Sequence, residues 1–154
     1  MRKYEEKLNE LKAEIGAVDS INLISSIKEI LTDPEINSVD KSAGLCLIGE
    51  ILWCISTYLD ENDPYGYEHF KKALKYNKNN YDALLGIISI FSIYPYPLNT
   101  VVTEQEYIMY TKKLIKDFSL LSENQKKNTI ENFAAYLDLR ETLIDKYGYS
   151  WFKK

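Results

Sequence analysis

An all-α fold of six to eight helices is the architecture this sequence predicts, on three observations. Apolar residues recur three and four apart in one segment after another, the spacing of a helix face. Residues suited to capping a helix N-terminus stand just before several of those segments. The alternation of a half-buried strand occurs only in the brief Thr100–Thr103.

Residues 2–15 are heavily charged, and Tyr4, Leu8, Leu11 and Ile15 make one narrow apolar stripe on a first helix. Asp19 or Ser20 caps a second, which carries Ile21, Leu23, Ile24, Ile27, Ile30 and Leu31 until Asp33-Pro34 ends it. Asp40 is the expected cap of a third helix, whose core is the apolar run 43–59. That run is shorter than the roughly 20 residues a membrane span needs and carries Glu50 near its middle. Cys46 and Cys54 lie on it too far apart to pair, and read as buried small hydrophobes of a reducing compartment. Asp63-Pro64 reads as the cap and first-turn proline of a fourth helix with Tyr67, Phe70, Leu74 and Tyr76, and the turn 77–80 leads to a fifth. Tyr94-Pro95-Tyr96-Pro97 breaks that helix, because each proline biases its predecessor toward extended backbone. Thr103 with Glu106, and Ser122 with Gln125, are capping-box pairs for a sixth and a seventh helix. In the seventh, about 123–146, Ile130, Phe133, Ala134, Leu137 and Leu143 are expected to face inward. Tyr149, Trp151 and Phe152 are expected to fold back and cap the end, leaving the free chain a monomer. At 154 residues the natural expectation is a single domain, residues 1–154.

One stretch carries a family resemblance. Gly66, Phe70 and Ala73, the turn Asn77-Lys78-Asn79-Asn80, and then Tyr81, Ala83 and Leu84 resemble the tetratricopeptide repeat over about residues 43–94. Lys78 stands where that family usually has proline, the preceding loop is longer than the family's, and the rest of the chain holds no clear copy. The resemblance implies antiparallel helical hairpins stacked as a short α-α superhelix, used for docking. The family's first helices line a concave binding face, which would put Glu50 and Asp82 on neighbouring first helices; the other reading of Glu50 is a pair inside the core with a Lys, Tyr or amide group. Asp82, Leu85 and Ser89 at the matching positions are not a basic clamp, so capture of acidic peptide ends is disfavoured.

Charge narrows the partner. Residues 1–77 hold nine Lys/Arg against fourteen Asp/Glu, whereas residues 78–154 hold ten against nine. Between Glu29 and Glu68 nine carboxylates face a single Lys41. That field repels nucleic acid and anionic membrane and attracts a basic protein. The expected partner-binding residues are Glu50, Asp60, Glu61, Asp63, Asp82, Tyr94 and Tyr96, with Asp60, Glu61 and Asp63 in an exposed loop and the two tyrosines on a proline-stiffened rim. Thirteen tyrosines suit packing seams and interfaces alike.

Catalytic signals are thin. His69 is the only histidine, and no HExxH, CxxC, phosphate-binding glycine loop or GxSxG occurs. The expectation is no enzyme, no metal and no cofactor. The N-terminal residues lack the apolar core of a secretory signal, which favours the cytoplasm. Two functions remain open. Small, acidic, tyrosine-rich chains resemble bacterial immunity proteins that neutralise basic toxin domains; tetratricopeptide-like domains also serve as adaptors or chaperones for peptides.

Overall fold

The computed structural model of the chain describes residues 3–55, 63–93 and 101–147. Those residues form seven α-helices and no strand: α1 (Lys3–Ala13), α2 (Ser20–Leu31), α3 (Ser38–Ile55), α4 (Tyr67–Tyr76), α5 (Tyr81–Ile93), α6 (Glu104–Lys116) and α7 (Glu123–Tyr147). The protein is therefore all-α. Short 3-10 turns, Pro64–Gly66 and Phe118–Leu120, precede α4 and follow α6. None of the described helices is long and apolar enough to cross a membrane.

The helix starts follow from local side chains. Asp19 Oδ1 accepts from the Ile21 and Asn22 amides at 3.0 and 3.2 Å, so Asp19 rather than Ser20 is the cap of α2. Thr103 Oγ1 accepts from Glu106 N at 3.1 Å. Ser122 and Gln125 close both bonds of a capping box, Gln125 N donating to Ser122 Oγ and Ser122 N to Gln125 Oε1. The cap of α3 is a correction: Asn37 Oδ1, not Asp40, accepts at the helix start, from Asp40 N at 2.8 Å. Asp40 stands three residues on, buried, and takes a 2.8 Å bond from Asn37 Nδ2. Only the forward half of a capping box forms here, since Asp40 takes its bond from the Asn37 side-chain amide and not from the Asn37 backbone.

Two compact units emerge, Met1–Ile87 and Ile88–Lys154, with the division inside α5. In the first, Leu8 from α1, Leu23, Ile27 and Ile30 from α2, and Leu47, Ile48, Ile51 and Leu52 from α3 share one core. The Tyr4 hydroxyl donates to the Asp33 carboxylate, fastening α1 to the turn beyond α2. That bond, aided by burial and by nearby carboxylates, pushes the Tyr4 phenol up to about 12; the same bond and the Glu35 amide hold Asp33 below the usual carboxylate range. Phe70 of α4, fully buried, sits between two glycines on different helices. A methyl at Gly49 of α3 would come within 2.7 Å of its ring, and one at Gly86 of α5 within 2.5 Å. Both positions must be glycine for helices to close on an aromatic ring. Gly66 has φ +79° and would meet the Gly49 carbonyl at 2.3 Å if it bore a Cβ, so it is constrained twice over.

Buried Ser42 locks the same corner, donating to the Ala73 carbonyl at 2.7 Å and accepting from Asn80 Nδ2 at 2.9 Å. Asn80 Oδ1 in turn accepts from Ala83 N at 3.1 Å, which caps α5. Three helix ends thus share one polar chain.

In the second unit Phe91 stacks on Tyr107, centroids 4.7 Å apart, and Val102, Leu114 and Leu121 are also buried. Burial pushes the Tyr107 phenol up to about 12. Here the expected inward face of α7 is corrected. Ile130 and Phe133 are 60% and 41% exposed and Ala134 is exposed, while Thr129 is buried at 5%. Polar and apolar residues alternate around this helix too evenly for its composition to choose a face, and Thr129 spends its hydroxyl on the Gln125 carbonyl at 2.8 Å. The side chains of Leu137 and Leu143, and the Tyr149–Phe152 clasp, lie outside the described residues. Cys46 is buried as expected, but Cys54 is exposed. Eight residues turn a helix roughly 80° past two full revolutions, enough to carry the second thiol off the buried face.

Candidate functional site

Where α1, α3 and the start of α5 converge, they leave a recess of about 120 Å³. Leu8, Ala43 and Leu47 supply its apolar lining, Asn9 and Asn80 amides, and Lys12, Cys46, Glu50 and Asp82 the ionisable groups. α1 is the first helix of the hairpin α1–α2, α3 that of α3–α4, and α5 begins after the next turn. The recess is thus lined by alternate helices of the chain order, α1, α3 and the start of α5.

Glu50 is central. Its side chain is only 26% exposed, with Lys12 Nζ 3.8 Å from Oε2 and the Cys46 thiol 3.9 Å from Oε1. Burial raises its pKa, Lys12 opposes that shift, and the charge of Asp82 adds to it. Desolvation prevails because Lys12 is itself 54% exposed and its ammonium stays mostly in water. Burial, then Glu50, then Asp82 push the Cys46 thiol well above its usual range, so the thiolate is suppressed. The recess thus offers carboxylate oxygens over an apolar floor, and no activated nucleophile.

The structure brings Glu50 and Asp82 to one recess from adjacent helices, with Asp82 half-buried in the first turn of α5. It places Asp63 elsewhere. The expectation of an exposed loop carboxylate there is overturned: Asp63 is 3% exposed. Its oxygens accept from the backbone amides of Glu68 at 2.6 Å and His69 at 3.1 Å, and from the His69 ring at Nδ1. Pro64 does not open α4 directly; a tight turn with Tyr65 at φ +66° intervenes, and Asp63 reaches across it to cap the helix. The side chain works inside the fold, and His69, 13% exposed, is part of that cap. Trp53 meets Tyr65 edge-on, centroids 6.0 Å apart, covering the turn. Asp60, Glu61, Tyr94 and Tyr96 lie outside the described residues.

Lys12 is the residue of the recess that sequence reading missed. It belongs to a helix whose charges read as a solvated face, and nothing local marks it as the cation nearest Glu50. The one available signal was its place one residue after Leu11, on the flank of the apolar stripe. Searches of known protein families, of curated proteins and of solved structures find nothing that this chain matches.

Proposed function

We propose that this chain is a protein–protein interaction domain that receives a basic partner on its acidic N-terminal half. The observation that carries the reading is the recess in which Glu50 and Asp82 meet over an apolar floor. A half-buried carboxylate with a raised pKa gains most from a cation brought to it out of solvent. Within this class the acidic field favours an immunity protein that neutralises a basic toxin domain, held by charge complementarity.

A tetratricopeptide-like adaptor that cradles a peptide is the second reading. It draws support from α1, α3 and the start of α5 lining one recess, and from the Phe70 ring held between Gly49 of α3 and Gly86 of α5. Both readings place the protein in the cytoplasm as a monomer when free, and both dispense with cofactor and catalysis.

The test is partner capture from the native host, followed by association kinetics at increasing ionic strength. Association should slow about tenfold or more between low and physiological salt, the behaviour of a steered encounter. Reversing the exposed Glu29, Glu35 and Glu68 to lysine should slow it further at low salt, whereas reversing the exposed Glu123 and Glu131 should not. A partner whose association ignores both salt and the first reversal set would refute the reading. Asp63 has no place in such a set, because its carboxylate caps α4.

A further inference from the structure

We infer that the recess between α1, α3 and α5 is an anchor pocket for one lysine or arginine side chain of the partner, and that Lys12 partly fills its place in the free protein. The inference rests on the basic-partner reading above and narrows it to one side chain.

Shape and chemistry select the occupant. About 120 Å³ is smaller than a cavity that takes a benzene ring, and suits one side-chain tip rather than a helix or a loop. The apolar stretch formed by Leu8, Ala43 and Leu47 fits an aliphatic stem, and Glu50 with Asp82 fits a cationic head. A long basic side chain is the one residue type with both parts. An acidic side chain would meet two carboxylates, and a purely apolar one would strip water from Glu50 without compensating it.

Lys12 shows how the cation is received. Its ammonium approaches Glu50 from the edge, at 3.8 Å, with over half of the side chain in solvent. An exposed pair of that kind holds by well under the strength of a desolvated one. A partner's cation entering over the recess would lie nearer both carboxylates and exclude water from them. Lys12 would then swing outward, which its exposure permits. The groups that face Glu50 are Lys12 from α1, Cys46 from its own helix and Asp82 from α5.

The experiment titrates the full chain with a short blocked peptide carrying one lysine between apolar residues, and with the same peptide acetylated on that lysine, while amide resonances are followed by NMR. Acetylation keeps the stem and removes the charge. The free lysine peptide should give saturable shifts at Lys12, Cys46, Glu50 and Asp82, and the acetylated one none there. Lys12→Ala should tighten binding about two- to fivefold, the gain from removing an exposed competitor. Glu50→Gln, and independently Asp82→Asn, should each weaken it, Glu50→Gln by about tenfold or more. Equal shifts from both peptides, shifts confined to other residues, or weaker binding in Lys12→Ala would overturn the anchor. Salt-dependent association of the captured partner alongside any of those results would leave the basic-partner reading standing without it.

Discussion

Removing the Asp63 carboxylate would strand the Glu68 and His69 amides at the start of α4, both of which now donate to it. Asp63→Ala should cost about 2 kcal/mol in urea unfolding, the combined weight of a lost cap and unsatisfied buried donors. Asp63→Asn, which retains one acceptor oxygen, should cost less, and an unchanged midpoint for the alanine variant would contradict the capping role. Glu50 behaves in the opposite sense. Its folded pKa lies above the unfolded one, so the folded state holds the proton more tightly and ionisation works against folding. That penalty is fully present above the folded pKa and fades as pH falls through it. Glu50→Gln should therefore raise Tm at pH 7, and the gain over the parent should shrink as the acid range is entered. A Tm lowered at pH 7 but not in the acid range would show that the Lys12 pair outweighs burial. Asp33 runs the other way: held low by Tyr4, it contributes stability above the ordinary carboxylate range and loses it as pH falls through its folded value. Tyr4→Phe should lower Tm at neutral pH and flatten that acid limb.

Helices close on one another here through absences of side chain as much as through contacts. Phe70 fills the seam between α3 and α5 only because Gly49 and Gly86 leave room for its ring. Gly86→Ala should destabilise by about 1–3 kcal/mol through overpacking, although alanine favours an isolated helix. Combined with Phe70→Leu, which shortens the intruding side chain, it should cost less than the two single changes added together. Strict additivity in chemical denaturation would refute direct contact. The caps of α2, α6 and α7 were legible in the sequence because each is decided within three residues, by Asp19, Thr103 and Ser122. At α4 the capping role of Asp63 was legible, but its burial and reach were not, since it caps across a turn whose positive φ at Tyr65 no composition rule foresees. Nor was the buried face of α7, where Thr129 turns inward ahead of Ile130 and Phe133. An amphipathic stripe names the face only when one side is clearly richer in apolar residues.

Across the molecule, the all-α class was readable because seven segments carry helical spacing independently, and no single misplacement alters that outcome. The recess was half readable. Glu50 announced itself as the one charge of the apolar run 43–59, and the tetratricopeptide-like pattern suggested Asp82 as its neighbour. Lys12, and the apolar floor from Leu8, depend on where α1 lies against α3, which is a tertiary fact without a local sign. Acidic residues crowd the first unit while the second is nearly neutral, so the field of the first unit is the one that would attract the proposed basic partner. The central claim is that this partner docks on the first helices of the N-terminal unit. Hydrogen–deuterium exchange of the full chain, alone and with its captured partner bound, tests it most directly. The account predicts new protection in the last turn of α1, in α3 around Cys46–Glu50 and at the start of α5 around Asn80–Asp82. Protection confined to α6 and α7, with those three segments exchanging as in the free protein, would contradict it.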